Sequence, residues 1–570
     1  MKQPDLILLH APSVYDFRKI PQLHGPVSDL VPSTPAFEMY PLGFTSLAEY
    51  LEKAGFRVRI VNLAYLMLQN KRFDAEKFIQ KLNAPLFGID LHWLVHAHGA
   101  LEAAKLVKKH HPEAKILVGG FTASYFWKEL AGYPEVDYVM RGDSTEEPMR
   151  QFLKAFKSQR FSAVPNLVWK DSRGKVHENE VSYVPARLDS VMDNHYGGLI
   201  DQVMRYRNIA AVMPFKGWLS HPITAVFSCR GCDQQCVFCG GSNSAMKRVT
   251  GRKATAFRTP EELHRDVKNV SRLSRGPIFI LSDIRQNGEA KALDFLRLLQ
   301  QQPVSNAVMF ELFKPASARF IEDLSLAAPR FGVDISPHSH DPEVRKATGL
   351  NYSNDELEGT IAWALHHGAL RVEVYFMIGL PRQDRESVMA DVAYCEYLLR
   401  KFDADRRLIL YQGPLAPFLD PGSLAFDHPE RHGYRLLYHT LEEHRQALLQ
   451  PSWKHTLNYE TEWLSRDEII DTSYEANIRL TRVKAKYGQM SHALAESQIS
   501  RLEETKKLEC QIDNIMVSEH PEDLNLLKTV IDRVNSFPTL QHRQLIEVPM
   551  GMFKLRYLNM VWEWVVGRLN

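Results

Sequence analysis

The stretch "ITAVFSCRGCDQQCVFCGGS", residues 223–242, decides the fold, because it joins a short apolar strand to a loop that holds four cysteines. Only six cysteines occur in 570 residues, and Cys229, Cys232, Cys236 and Cys239 are four of them. Cysteine this sparse and this clustered indicates one metal or redox site rather than a disulfide framework. In zinc sites a loop of about a dozen residues commonly separates the cysteine pairs, so this spacing favours an iron–sulfur cluster, whether chemical or purely structural.

The composition bounds the class of protein. Hydrophobic residues make up 45% of the chain, charged residues 24%, and the net charge is +2, which is ordinary for a globular protein and gives no sign of a nucleic-acid partner. The amino-terminal apolar run is too short for a signal peptide, and no window is long enough for a transmembrane helix. We therefore expect a cytoplasmic protein.

Strands and helices alternate in two regions, which predicts an α/β protein. Residues 1–156 predict a doubly wound, Rossmann-like parallel sheet, and residues 157–220 a hairpin and linker. Residues 221–428 hold six strand–helix units, which predict a partial (β/α)6 barrel with its site at the carboxyl ends of the strands. Residues 429–570 predict a mainly helical domain in which strands stop.

The spacing Cys232-x3-Cys236-x2-Cys239, placed after a first barrel strand, closely resembles the radical SAM superfamily. The resemblance implies that these three thiolates hold a [4Fe–4S] cluster whose open iron binds S-adenosylmethionine (SAM). Cleavage of SAM then gives a 5′-deoxyadenosyl radical, with the electron taken from an external reductant of the flavodoxin or ferredoxin type. Cys229 would be a bystander, because a fourth thiolate would saturate the cluster.

Later stretches resemble, in order, the SAM-binding segments of that superfamily. The implied SAM contacts are Phe238, Gly240, Gly241, Ser242, Ser282, Asp283, Ser336, His338, Ile378 and Gly379. Three alternatives stay open. Asp283 equally fits a helix N-cap, His338 and His340 fit substrate contacts, and Ile378–Gly379 fits a plain strand and turn. No catalytic side chain is assigned.

The domain before the barrel resembles the cobalamin-binding class of these enzymes, on "KILVGGFTAS" and "RGDSTEEPMRQFL". The implied cobalamin contacts are Ser13, Tyr15, His92, Trp93, Leu94, Gly119, Gly120, Thr122, Ala123, Ser124, Gly142 and Asp143. The Asp-x-His-x-x-Gly signature of methionine-synthase-like domains is absent, since Val95 replaces its glycine and the stretch follows the third strand. We therefore expect cobalt without a histidine ligand, and His92 and Trp93 near the lower corrin face. Ordinary strand–helix turns are the plain alternative.

The resemblance implies a cobalamin-dependent radical SAM enzyme, most often a methyltransferase that acts on an unactivated carbon through methylcobalamin. Two alternatives stay open: a non-methylating enzyme for cyclisation, ring contraction or other C–C rearrangement, and a non-catalytic sensing or electron-transfer protein. We expect a small-molecule or lipid-like substrate and a monomer or small homo-oligomer. The tail "MFKLRYLNMVWEWVVGRLN" predicts core packing, with docking or membrane-interface helices as alternatives.

Overall fold

Two parallel sheets organise the computed structural model, which describes residues 3–25, 34–192, 196–415, 418–518, 523–536 and 554–566. The first sheet has the order β2-β1-β3-β4-β5-β6-β7. Its strands are β1 (Leu6–His10), β2 (Val58–Asn62), β3 (Leu86–Asp90), β4 (Lys115–Gly119), β5 (Tyr138–Met140), β6 (Leu167–Lys170) and β7 (Val176–Glu178). The first five are parallel, and the hairpin β6–β7 extends the sheet in antiparallel pairing.

Helices cover both faces of this sheet, as the doubly wound prediction requires. They are α1 (Gly43–Lys53), α2 (Leu63–Gln69), α3 (Ala75–Lys81), α4 (Ala97–His110), α5 (Phe121–Tyr125), α6 (Trp127–Leu130), α7 (Glu146–Ala155) and α8 (Gly197–Tyr206). Alternate residues of β1 enter different cores: Ile7 and Leu9 pack on one face, and Leu6 and Leu8 on the other. A parallel strand buried on both faces has this continuous apolar sequence.

The second sheet is the predicted partial barrel, with the parallel order β15-β14-β13-β12-β11-β8. Its strands are β8 (Thr224–Phe227), β11 (Ile278–Leu281), β12 (Val308–Leu312), β13 (Phe331–His338), β14 (Arg371–Ile378) and β15 (Leu408–Pro414), and a small ladder joins β9 (Cys229–Arg230) to β10 (Ala256–Phe257). The helices are α9 (Asn243–Thr250), α10 (Pro260–Leu273), α11 (Glu289–Gln301), α12 (Ala318–Ala327), α13 (Pro342–Ala347), α14 (Asn354–His366), α15 (Arg385–Lys401) and α16 (Leu424–Asp427).

The remainder is mainly helical, as expected, but it contains one short sheet that the sequence did not predict. Strands β16 (Tyr434–Leu436) and β17 (Tyr459–Thr461) pair in antiparallel fashion, and three residues are too few to produce a readable alternation. The helices are α17 (Leu441–Ala447), α18 (Arg466–Lys486), α19 (His492–Met516), α20 (Leu524–Val534) and α21 (Tyr557–Val566).

The terminal helix α21 corrects another expectation. The sequence predicts core packing for it, but Leu558 is 86% exposed and Trp562 is 67% exposed. Mixed apolar spacing does not reveal whether a neighbouring element covers the helix, and here these apolar side chains face outward. Across the described ranges of the chain, no helix combines the length and the apolar character that crossing a membrane would need.

Candidate active site

The loop between β9 and α9 holds three cysteines in a compact turn. The amide of Cys239 donates to the carbonyl of Cys236 at 3.2 Å. The Sγ atoms of Cys232 and Cys239 accept from the amides of Gln234 and Gly241, each at 3.3 Å. Amide donors directed at sulfur stabilise the thiolate form, which is the form that binds iron. These two amides partly oppose the effect of burial, which favours the neutral thiols.

Burial sets the electrostatics of these thiols. It raises the pKa of Cys232 to about 12 and that of Cys236 to about 11, and it also raises the pKa of Cys239. Soft thiolates crowded on one loop fit a multi-iron cluster better than zinc. The donor set therefore fits a [4Fe–4S] cluster held by Cys232, Cys236 and Cys239.

Cys229 occupies a different setting. It is buried on β9, where it pairs with Phe257 of β10. Its thiol donates to the carbonyl of Gly231 at 3.5 Å. Burial raises the pKa of this thiol, with hydrogen bonds from Ser282 and Ser228 opposing the rise. These contacts support the interpretation of Cys229 as a bystander that does not bind the cluster. That role of Cys229 stays a prediction.

Phe238 and His338 lie together beside the cysteine loop. Their rings pack edge to face with centroids 5.1 Å apart. The Nδ1 atom of His338 is 2.8 Å from the hydroxyl of Thr348, whose own proton goes to the carbonyl of Arg345. His338 therefore donates through Nδ1 and keeps Nε2 as an acceptor. Burial lowers the pKa of His338 to about 3, so the ring is neutral.

Ser282 and Asp283 follow β11, and the structure separates their roles. The Asp283 carboxylate accepts from the amide and guanidinium of Arg285 and from the amide of Phe313. This is the N-cap alternative, and it leaves the carboxylate little capacity for SAM. Ser282 has a positive φ of 72°, and its amide donates to Glu311 at 2.6 Å.

The remaining residues predicted to contact SAM also differ in whether their polar groups are already bonded within the protein. Ser242 caps α9 through its side chain, and Ser336 lies partly exposed on β13. The Ile378 carbonyl accepts from Leu415, and the Gly379 amide donates to Gln383 at 2.9 Å. The backbone of Ile378–Gly379 is thus already bonded, as the plain strand-and-turn alternative requires.

A row of carboxylates inside the barrel was missed by the sequence reasoning. Glu311, Asp334 and Glu373 lie in register on β12, β13 and β14. Glu373 pairs with Arg371 at 2.6 Å, and burial together with Glu373 raises the pKa of Asp334 well above its ordinary value. The available signal was a charged residue at an alternate position in each of three apolar strands.

The glycine turn after β4 forms a close approach in the first domain. Gly120 has a φ of +118°, and a Cβ atom there would lie 2.5 Å from the Cα of His92. Ser124 donates to the carbonyl of Gly120 at 2.8 Å and accepts from the amide of Gly142 at 2.9 Å. Gly119 ends β4, and Thr122, Ala123 and Ser124 are buried in α5. Only glycine allows the β3 and β4 loops to meet this closely.

The other predicted cobalamin positions lie around the same edge of the sheet. The Ser13 hydroxyl donates to Pro35, and the Tyr15 amide donates to the Nδ1 atom of His98. Leu94 is buried, whereas Trp93 is partly exposed and packs edge-on against Phe418 of the barrel, with ring centroids 5.9 Å apart. The Asp143 carboxylate accepts hydrogen bonds from the guanidinium of Arg252, a residue of the barrel domain.

The two domains meet at the carboxyl ends of their sheets. Asp420 accepts the amide of Gly240 at 2.9 Å and the indole N–H of Trp93. A Cβ atom on Gly240 would lie 2.9 Å from the Cβ of Asp420 and 3.1 Å from the ring of Phe121. Burial raises the pKa of Asp420 to about 6. The cysteine loop is therefore packed directly against loops of the first domain.

Comparisons with known proteins agree with this division. Residues 29–150 match the family model for the B12 binding domain, and residues 226–395 match that for the radical SAM superfamily. A hopanoid C-3 methylase from Methylococcus capsulatus is 24% identical over 246 residues, which cover 43% of this chain and 42% of the methylase. The aligned region thus spans less than half of that relative.

Solved structures share the fold at low sequence identity. The radical SAM methyltransferase TsrM from Kitasatospora setae, with cobalamin and a [4Fe–4S] cluster bound, has a TM-score of 0.53 and 16% identity, over 76% of this chain and 81% of TsrM. The cobalamin-dependent radical SAM enzyme OxsB, with aqua-cobalamin bound, has a TM-score of 0.56 and 12% identity, over 99% of this chain and 84% of OxsB.

These observations define a protein that pairs a B12-binding domain with a radical SAM barrel. The chain belongs to the cobalamin-binding radical SAM family, and its cofactors are cobalamin, SAM and a [4Fe–4S] cluster.

Proposed function

We propose that this chain is a methyltransferase that acts on an unactivated carbon of a small-molecule or lipid-like substrate. The observation that carries the proposal is the contact of Gly240, beside the last cysteine, with Phe121 of the first domain and with Asp420. This contact places the loop that follows the last cysteine directly against the first domain. A substrate bound between the two domains would have access to both cofactors without leaving the protein.

When bound, the cofactors would supply a hydrogen-abstracting radical and a methyl group. The protein's task would be to hold the two domains at a fixed separation and to exclude other hydrogen donors. Asp420 contributes to the fixed separation, because its carboxylate joins the amide of Gly240 to the indole of Trp93.

The relatives support methyl transfer over the alternatives. The hopanoid C-3 methylase and TsrM both carry methylation in their names, although each resembles this chain only distantly. They suggest two first substrates for testing: a hopanoid, and the tryptophan that is the substrate of TsrM.

The test is anaerobic reconstitution of the full chain with iron, sulfide and cobalamin, followed by reduction and incubation with methyl-deuterated SAM and each probe. Methylated probe, with 5′-deoxyadenosine and S-adenosylhomocysteine in equal amounts, is the expected result. Cys236→Ala is the matched control and should form none of the three. Deoxyadenosine without homocysteine would exclude the methyltransferase in favour of a non-methylating radical enzyme. No SAM cleavage under any condition would favour a sensing or electron-transfer protein.

A further inference from the structure

The loop after β3 carries a histidine whose outer nitrogen has no hydrogen-bond partner among the residues that the structure describes. The Nδ1 atom of His92 lies 2.7 Å from the Oδ2 atom of Asp90. A carboxylate only accepts hydrogen bonds, so Nδ1 carries the proton and Nε2 presents a lone pair. The His92 side chain is 29% exposed, so its outer atoms reach the surface of the cofactor-binding edge.

Asp90 is held in place by a second histidine. His10 approaches both oxygens of Asp90 at 3.0 Å through Nδ1, and the Nε2 atom of His10 faces the carbonyl of Phe37 at 3.0 Å. These contacts fix the position of the Asp90 carboxylate, and with it the orientation of the His92 ring.

The geometry also fixes where the His92 ring stands. A Cβ atom on Gly120 would lie 2.5 Å from the Cα of His92. His92 is therefore located at the junction of the β3 and β4 loops. Behind it, the ring of His96 is 5.0 Å away and that of His10 is 6.3 Å away. Both of those rings are buried, whereas His92 is partly open.

We propose that the Nε2 atom of His92 is the lower axial ligand of the cobalt in bound cobalamin, with Asp90 fixing its tautomer and orientation. The inference rests on the proposed function and deepens it, and it reverses the expectation that cobalt lacks a histidine ligand. A missing glycine at Val95 argues against the sequence signature only, because the pairing it encodes is present here between Asp90 and His92.

The coordination step needs no other reactant. The Nε2 lone pair would form the bond to cobalt as the bond from the cofactor's own dimethylbenzimidazole breaks, the Nδ1 proton would stay in its hydrogen bond to Asp90, and no electron or proton would leave the site. A metal-bound histidine whose second nitrogen donates to a carboxylate is a recurrent arrangement, and the carboxylate strengthens the ligand. His96 does not fit this role, because it is only 1% exposed and one ring nitrogen already bonds to the Ala11 backbone.

The test is electron paramagnetic resonance of the full chain loaded with cob(II)alamin, using protein that contains ¹⁵N-labelled histidine. The unpaired electron of Co(II) lies along the axial direction, so an axial nitrogen splits each cobalt line. Histidine ¹⁵N has spin one half and should give doublets, whereas the ¹⁴N of the cofactor's own dimethylbenzimidazole gives triplets. We expect doublets in the unaltered protein and in His96→Ala, and their loss in His92→Ala.

Each outcome has a defined meaning. Triplets in the ¹⁵N-histidine protein, or no nitrogen splitting, would overturn the ligand assignment while leaving cobalamin binding intact. Doublets that persist in His92→Ala would overturn it in favour of another histidine. If His92→Ala does not fold, unlabelled His92→Gln protein with added ¹⁵N-imidazole replaces that variant, with doublets from imidazole expected and triplets meaning that dimethylbenzimidazole holds the position instead. Failure of the unaltered protein to bind cobalamin at all would sink the proposed function itself.

Discussion

Replacing Arg230 is the strongest test of the contact that joins the two domains. Its guanidinium donates to both oxygens of Glu146 and to the hydroxyl of Ser144, and it lies two residues before Cys232. The side chain of Glu146 is 3% exposed and that of Arg230 is 12% exposed. Burial alone would raise the pKa of Glu146, but the charge and hydrogen bonds of Arg230 hold it below its ordinary value.

We expect Arg230→Met to lower the free energy of unfolding by about 3–5 kcal/mol, which is the typical cost of leaving one member of a buried ion pair without its partner. Glu146 would retain the Ser46 hydroxyl, at 2.9 Å, and its backbone hydrogen bond, neither of which carries a compensating charge. Adding Glu146→Gln removes the stranded charge, so the double variant should regain about half of that loss. The measurement is urea unfolding of the full chain, followed by tryptophan fluorescence.

Arg150→Met is the matched control. Arg150 pairs with Glu147 at 2.6 Å within the same helix, but its side chain is 27% exposed, so its loss should cost about 1 kcal/mol or less. The pKa of Glu146 is depressed, so its contribution is present above the ordinary carboxyl pKa and is lost as pH falls through the folded value. The gap between Arg230→Met and the unaltered protein should therefore narrow in acid. Equal costs for the two arginine variants would refute the reasoning.

Three further predictions concern other regions of the molecule. Alanine at Cys232, Cys236 or Cys239 should abolish the iron–sulfur absorption and SAM cleavage, whereas Cys229→Ala should retain both; an equal requirement for Cys229 would mean a saturated cluster. Burial raises the pKa of Glu509 to about 7 from 4.5, so its contribution to stability is complete below pH 4.5 and declines as pH rises through 7. That shift in pKa corresponds to about 3 kcal/mol of unfolding free energy. Glu509→Gln should flatten the pH dependence of the unfolding free energy over this range. An unchanged pH profile would contradict the raised pKa of Glu509. Trp562→Ala should change the unfolding free energy by about 0.5 kcal/mol or less, because Trp562 is 67% exposed; a loss of about 3 kcal/mol would restore the core-packing account.

The features that were readable in the sequence are local ones. Cys232, Cys236 and Cys239 lie within one loop, so their spacing alone specifies a shared site. The parallel sheets were readable because buried strands and helices leave periodic apolar patterns. Asp283 was ambiguous at that level, since a short-range motif allows both a cap and a ligand; the structure shows the cap, with Arg285 filling the carboxylate.

Hydrogen-bonded pairs between residues far apart in the sequence could not be predicted from the sequence. His10 and Asp90 are 80 positions apart, and they meet because β1 lies beside β3 in the sheet. Arg230 and Glu146 are 84 positions apart and belong to different domains. Such contacts depend on strand order and domain packing, which no local pattern encodes.

The sequence by itself thus indicated the cofactors through its resemblance to a known family, because the cysteine spacing and strand–helix order that carry the resemblance are properties of short segments. Only the tertiary structure decided which side chains remain available to a ligand. The Asp143 carboxylate already accepts hydrogen bonds from Arg252. The Nδ1 atom of His92 bonds to Asp90, and its Nε2 atom has no partner among the described residues. Availability depends on what every neighbour has already bonded, and those neighbours come together only when the chain folds.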